Sequence, residues 1–311
     1  MARKTSTTIL WMMALSMACW PPAAHAYDLY WTDFATGAIQ AADFSDLTPH
    51  TLVSAQSEAY RIAIDADGGK MYWTGFGYVR RANLDGTAVE TLINHFGDMT
   101  LGLALDSAGG KMYWTEFSDV YRANLDGTDI EEFDISTGLY QDLTLDLLHG
   151  HVYISDWGGN PASPGRVLRT NLDGSGLTSI LDGISRGPVG IGVDPLAGHL
   201  YWARTDFTSG LGGVQRANLD GTDTEDIVTG QNADPLTLDL GSQRMYWAGG
   251  SPDGTSWGIW RAGLDGSDIE MLPIPGINPA GVAVIPEPTS LALLAVCVVC
   301  MLGRRRKIRP S

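Results

Sequence analysis

The chain reads as all-β, a closed ring of six four-stranded antiparallel sheets, and three observations predict it. Aromatic quartets recur at Tyr30, Tyr72, Tyr113, Tyr153, Tyr201 and Tyr246, in steps of 40 to 48 residues. A turn motif, Arg-x-Asn-Leu-Asp-Gly, follows at Arg81, Arg122, Arg169 and Arg216; Arg261-Ala262-Gly263-Leu264-Asp265-Gly266 is a fifth copy, and the first repeat keeps only Ala42-Asp43-Phe44. An apolar alternation ending in Asp65, Asp106, Asp146, Asp194 or Asp239 stands seven residues before each of the last five motif tyrosines. Such a period marks units that cannot bury their faces alone and must stack on one another.

Each repeat is expected to supply four strands in order. Strand A is the apolar alternation, as in Ile62-Ala63-Ile64-Asp65, because period-2 patterning with β-branched residues favours a strand. Strand B holds the aromatic quartet, reached through a turn such as Asp67-Gly68-Gly69 or Ala108-Gly109-Gly110. Strand C carries Arg-x-Asn-Leu-Asp, and strand D is the segment after the glycine, for example Ala88 to Ile93. Four strands in about 40 residues make one propeller blade, and the fold class is a six-bladed β-propeller. Closure follows from counting. The chain after residue 26 begins on a B strand with no A strand before it, while Gly281-Val282-Ala283-Val284 is a surplus A-like segment after the sixth D strand, Ile269 to Leu272. Pairing of Val282 and Val284 beside Leu29 to Trp31 would remove two open sheet edges.

The two ends differ from the middle. Residues 1–26 contain Arg3 and Lys4, an apolar run from Ile9 to Trp20 and Ala24-His25-Ala26, the order of a signal peptide cleaved before Tyr27. Leu15-Ser16-Met17-Ala18 places its leucine one position too early for lipid attachment at Cys19. Residues 286–311 read Pro286-Glu287-Pro288-Thr289-Ser290, then an apolar run from Leu291 to Leu302, then Arg304, Arg305, Arg306, Lys307 and Arg309. An apolar run stopped by five cations reads as a membrane stop with a cytoplasmic positive end. The tripartite tail resembles the PEP-CTERM sorting signal of Gram-negative bacteria, with Pro286, Glu287 and Pro288 as its motif. That resemblance implies recognition and cutting by an exosortase, transient anchoring in the membrane, and a cell-envelope, surface or extracellular destination.

The formal net charge is −16, and the end segments hold seven of the 20 cations but one of the 36 acids, leaving −22 on residues 27–285. A nucleic-acid partner is excluded, since phosphate binding needs a basic footprint. All three cysteines, Cys19, Cys297 and Cys300, lie in the end segments, so residues 27–285 hold neither disulfide nor thiolate metal site.

The six quartets and their Leu-Asp-Gly turns resemble the YWTD propeller of the low-density lipoprotein receptor class B repeats over nearly all of residues 27–285. The motif acid is present as Asp33, Glu116 and Asp156 and replaced by Gly75, Arg204 and Gly249. The receptor relatives bind protein ligands, which implies a binding role here without carrying over a residue-level site.

Catalytic signals are sparse. The Asn-Leu-Asp-Gly turns fail as calcium loops because arginine stands four residues before each aspartate, where a carboxylate is needed. Arg81, Arg122, Arg169, Arg216 and Arg261 are instead expected to pair with carboxylates of the blade framework, and Asp85, Asp126, Asp173, Asp220 and Asp265 to cap turns. The histidines form no His-Glu-x-x-His, and no nucleophile elbow, Walker loop or dinucleotide fingerprint appears in context.

Loop length says more. From motif tyrosine to the leucine of Leu-Asp-Gly the spacing is 12 residues in the second and third repeats (72 to 84, 113 to 125), but 19, 18 and 18 in the last three (153 to 172, 201 to 219, 246 to 264). The insertions raise one rim on the face shared by B–C and D–A loops, and insertions on one face commonly bind. Trp157, Arg204, Asp206, Phe207, Asp253 and Trp257 are the candidate ligand-binding residues. Glu58, Asp98, Asn232 and Asn278 precede the A strands around the channel mouth, so a calcium ion is a candidate there although no cofactor is required. The function expected is an exported, non-enzymatic module that binds extracellular protein or polysaccharide. The alternative is a metal-dependent hydrolase of the lactonase type, by analogy of fold.

Overall fold

A computed structural model describes residues 27–56, 58–135, 138–158, 164–185, 187–205, 212–251 and 256–285, with the main chain alone at 95–98. The expected signal peptide and sorting tail therefore lie outside the described residues. The first sheet contains β1 (Leu29–Asp33), β2 (Ala38–Ala42) and β3 (His50–Val53). A six-stranded sheet follows: β4 (Ile62–Asp65), β5 (Lys70–Asn83), β6 (Glu90–Asp106), β7 (Lys111–Glu116), β8 (Asp119–Asn124) and β9 (Glu131–Glu132). The third sheet is β10 (Tyr140–Asp146), β11 (His151–Asp156), β12 (Gly165–Asn171) and β13 (Thr178–Ile184). The fourth is β14 (Pro188–Asp194), β15 (His199–Arg204), β16 (Gly213–Asn218) and β17 (Glu225–Thr229). The fifth is β18 (Leu236–Asp239), β19 (Arg244–Gly250), β20 (Trp257–Gly263) and β21 (Glu270–Met271). Finally β22 (Pro279–Val284) returns to the first sheet, giving the order β22-β1-β2-β3.

Closure is visible in the register: Leu29 faces Val284 and Trp31 faces Val282, antiparallel. The innermost strands β4, β6, β10, β14, β18 and β22 touch in that cyclic order, and β22 meets β4 again.

One feature departs from the expected separate sheets: the second and third repeats share the six-stranded one. Short connections are the reason. Lys70 Nζ donates to Asn83 Oδ1 at 2.6 Å, although a straight strand would hold the ends of β5 about 43 Å apart. The element therefore doubles back, at Gly77 with φ 69°. Lys111 and Asn124 make the same bond across the β7–β8 hairpin. Likewise β6 runs unbroken from the outer strand of one repeat, where Ile93 faces Val79, to the inner strand of the next, where Leu103 faces Trp114. The D strands start later than expected, since Ala88 and Asp268 hold positive φ before Glu90 and Glu270.

The quartets build the core between repeats. Successive side chains of a strand point to opposite faces, so the tyrosine of one repeat and the tryptophan of the next share an interface. Tyr30 packs with Trp73, Tyr72 with Trp114, Tyr201 with Trp247, and Tyr246 with Trp31 across the closure. Ile154 stands in for tryptophan against Tyr113. Trp31, Trp73, Trp114, Trp202 and Trp247 are all fully buried. Each such ring removes about 150–250 Å² from water, roughly 4–6 kcal/mol gross at ~25 cal/mol per Å².

The polar motif residues stitch neighbouring repeats. Thr32 Oγ1 donates to the Tyr60 carbonyl and Thr74 Oγ1 to that of Leu101, both in the following repeat. Arg81, Arg122, Arg216 and Arg261 pair with Glu90, Glu131, Glu225 and Glu270 on their own outer strands. Three of them reach further, to the carbonyls of Leu125, Leu172 and Leu264 in the next repeat's turn. Arg169 faces Thr178 where the others face glutamate; its side chain bonds the Tyr153 hydroxyl. Asp85, Asp126, Asp173, Asp220 and Asp265 each accept the N–H two residues on, which holds their carboxyls below the ordinary range through bonds to the neighbouring Thr or Ser.

Candidate functional site

The motif acid organises the face that carries the B–C loops. Asp33 Oδ2 accepts the Asn278 N–H at 2.7 Å, and Asp156 Oδ1 accepts the Leu139 N–H at 2.9 Å. Both donors stand seven residues before the end position of their A strand. The residue after each acid completes the link, Phe34 N–H to the Asn278 carbonyl and Trp157 N–H to the Leu139 carbonyl. Both of these B–C turns are thus pinned to the lead-in of the inner strand, and the side chain after the acid position is left facing outward. That position holds Phe34, Phe76, Phe117 and Trp157 in four consecutive repeats, exposed by 54, 52, 38 and 43%. The ring of Phe34 lies 6.4 Å from that of Tyr60, beside the channel mouth. Four aromatics at one repeat position make an arc on one face. Loop length in the sequence singles out Trp157 but not the three phenylalanines. Reading the column after the motif acid down the repeats would have found them.

The other candidate ligand-binding residues divide. Arg204 pairs with Asp226 at 2.8 Å, and Asp226 also accepts from Gln215. Trp257 is half-buried and donates from Nε1 to the Pro279 carbonyl at 3.1 Å, so it fastens the closing strand. Asp206, Phe207 and Asp253 lie outside the described residues, and so does the side chain of Asp98.

At the same end of the ring, the central channel is closed by charge. Arg61, 8% exposed, reaches from the lead-in of β4 across the axis. Its Nη2 lies 2.6 Å from Asp234 Oδ1 and 3.2 Å from the Val189 carbonyl; Nη1 donates to the Ala280 carbonyl at 3.2 Å; Nε lies 3.7 Å from Asp142 Oδ2. The partners all stand four or five residues before the strand-end position of their repeats. At the four-residue offset the other repeats place Gly102, Gly190, Pro235 and Gly281. A Cβ at Gly281 would stand 2.2 Å from the Tyr60 carbonyl oxygen, and one at Gly190 2.6 Å from the Leu236 amide, so small residues let the inner strands crowd around the guanidinium. Burial pushes Asp142 up to about 7, with Arg61 opposing. Asp234 is raised by the same desolvation, and burial of Arg61 is more than offset by Asp234 and Asp142, which keep it cationic. Beyond this plug runs a cavity of about 280 Å³ with walls of Ile62, Ile64, Leu103, Ile191, Leu236 and Val282.

Of the calcium candidates, Glu58, Asn232 and Asn278 lie within the described residues. Glu58 is exposed in a left-handed conformation, and the main chain of Asn278 is committed to Asp33 and Phe34. Among the described residues no cluster of three or more His, Asp or Glu could hold a metal ion. A guanidinium on the axis also opposes a divalent cation beside it.

Comparisons with known proteins bear on the fold and on the C-terminal end of the chain. Residues 284–307 match the PEP-CTERM protein-sorting motif. A low-density lipoprotein receptor-related protein 1 of Pyricularia oryzae is 39% identical over 66 residues, 21% of this chain, and the match spans about a fifth (21%) of that relative's own length. Among solved structures, the crystal structure of a nidogen/laminin complex aligns with TM-score 0.69 and 18% identity, covering 82% of this chain and 97% of the other. TolB from Acinetobacter baumannii aligns with TM-score 0.68 and 14% identity, over 84% of this chain and 66% of that one. The fold is a YWTD-type β-propeller. Its C-terminal sorting motif marks an exported protein handled at the cell envelope and implies an exosortase-type processing enzyme. Among the described residues no helix is long and apolar enough to cross a membrane.

Proposed function

We propose that this exported propeller is a non-enzymatic binding module whose ligand, an extracellular polysaccharide or protein, lies across the B–C loop face. The observation that carries the reading is the arc of Phe34, Phe76, Phe117 and Trp157. The rings of Phe34 and Trp157 are held by turns pinned to the inner strand, and none of the four is needed by the core. Exposed aromatics on a rigid frame supply contact area at low entropic cost, and they dominate many binding interfaces. The repeat spacing of the rings suits an extended ligand that touches several repeats at once. The net charge of −22 on residues 27–285 favours a neutral or basic ligand over a polyanion, unless calcium bridges the two. The non-enzymatic reading is further supported by the ion cluster of Arg61, Asp142 and Asp234, which fills the polar end of the channel.

The test is a glycan array and a protein pull-down with the purified protein, in calcium and in chelator, compared with the triple variant Phe76→Ala/Phe117→Ala/Trp157→Ala. The reading predicts a ligand that the triple variant loses while its unfolding midpoint stays put. A ligand retained in full by that variant would remove the assignment, and turnover of a lactone by the wild type would favour the hydrolase.

A further inference from the structure

The closing strand also decides where the chain leaves the ring. β22 occupies the innermost place, and Ile285 stands where the other inner strands end in aspartate. The chain therefore exits beside the channel on the face of the A–B turns, opposite the aromatic arc. That face carries exposed leucines of its own: Leu147 and Leu148 in the turn after β10, exposed by 48 and 61%, and Leu196 in the turn after β14, exposed by 86%. The corresponding turns of the second and third repeats read Ala66-Asp67-Gly68-Gly69 and Ser107-Ala108-Gly109-Gly110.

We infer that, before the tail is cut, the A–B-turn face rests on the lipid bilayer, with Leu147, Leu148 and Leu196 touching it and the aromatic arc pointing away. The occupant follows from the length of chain beyond the exit. Five residues, 286–290, separate Ile285 from the apolar run Leu291 to Leu302, and five residues reach no more than about 18 Å. The run is 12 residues long, about 18 Å as a helix against a hydrocarbon core of about 30 Å, so inserting it draws the flanking residues toward the headgroups. A ring tethered this closely meets the bilayer at high effective concentration, and three leucines then suffice for contact without free affinity. Zwitterionic lipid is the better surface. The C–D turns on the same face carry Asp85, Asp126, Asp173, Asp220 and Asp265 exposed to solvent, which repel anionic headgroups. The inference rests on residues 286–311 acting as a membrane segment, and it is independent of the ligand at the opposite face.

The test uses the full chain with Cys19, Cys297 and Cys300 replaced by serine, a nitroxide on Leu196→Cys, Leu148→Cys or Phe76→Cys, and phosphatidylcholine vesicles. Vesicle flotation reads the anchoring, and collision with oxygen and with a water-soluble nickel chelate reads the surroundings of each label. We expect flotation, with labels at 148 and 196 at least threefold more accessible to oxygen than to the chelate, relative to the label at 76. Three results would overturn it. Failure to float removes the membrane segment itself. Flotation with all three labels equally open to the chelate leaves the anchor and removes the facing. Labels at 148 and 196 shielded from both reagents mean that the leucines are covered by protein, either the tail folded back or a second copy.

Discussion

Arg61 and Asp234 lie 173 residues apart in sequence and meet at 2.6 Å across the channel axis. With Asp142 and the carbonyls of Val189 and Ala280, this contact ties β10, β14, β22 and the lead-in of β18 to one cation at the start of β4. Removing one partner of a buried ion cluster leaves uncompensated charge, which typically costs about 3–5 kcal/mol. Arg61→Met should therefore lower stability by that order, read by urea unfolding at neutral pH. The triple variant Arg61→Met/Asp142→Asn/Asp234→Asn should recover most of it, because no charge is then stranded. Equal destabilisation by both would mean that the cluster holds the ring by shape alone.

Asp142 gives a pH signature. Its folded pKa, raised from 3.8 to about 7 by burial, exceeds the unfolded value, so between about pH 4 and pH 7 the folded state keeps a proton that the unfolded chain has released. Its contribution is fully present below pH 4 and is lost as pH rises toward 7. Unfolding midpoints of the wild type should decline relative to Asp142→Asn across that window. Parallel curves would show that Asp142 does not titrate there.

The closure depends on a glycine. In Gly281→Ala the new Cβ would stand 2.2 Å from the Tyr60 carbonyl oxygen and 3.0 Å from Arg61 Cα, both main-chain atoms with little room to give. Overpacking of this kind costs about 1–3 kcal/mol. Calorimetry should show that loss at Gly281, while Gly69→Ala, with nothing near its Cβ, should report only the cost of its positive φ.

The arginine staples separate two energies. Glu131→Ala breaks an exposed ion pair and should cost less than about 1 kcal/mol. Arg122→Ala also takes the donor from the Leu172 carbonyl, 2.7 Å away in the next repeat, and should cost about 1 kcal/mol more. Denaturant midpoints of the two single variants and the double variant check this directly.

The three exposed rings Phe76, Phe117 and Trp157 should each be replaceable by alanine within about 0.5 kcal/mol of wild-type stability. A larger loss at any one, measured by thermal melting, would assign that ring to the fold.

Repeat period, turn glycines and the surplus strand after the sixth repeat were legible in the sequence, because each is a local demand: alternation for a strand, positive φ for a turn, a partner for an open edge. Strand ends were less so. Ala88 looks like strand and holds φ 55°, since its turn needs one more residue than the glycine supplies. Of the candidate site, Trp157 was readable from a long loop, while Phe34, Phe76 and Phe117 sit in short ones and carry no spacing signal. Arg61 was not readable at all, because what it does depends on Asp142 and Asp234 arriving from other repeats. By itself the sequence determined the repeating unit, the ring closure and the C-terminal sorting motif, all set by neighbours along the chain. Only the tertiary structure decided which side chains the core leaves outside and which charges it gathers on the axis, because both are set by groups that become neighbours only when the ring closes.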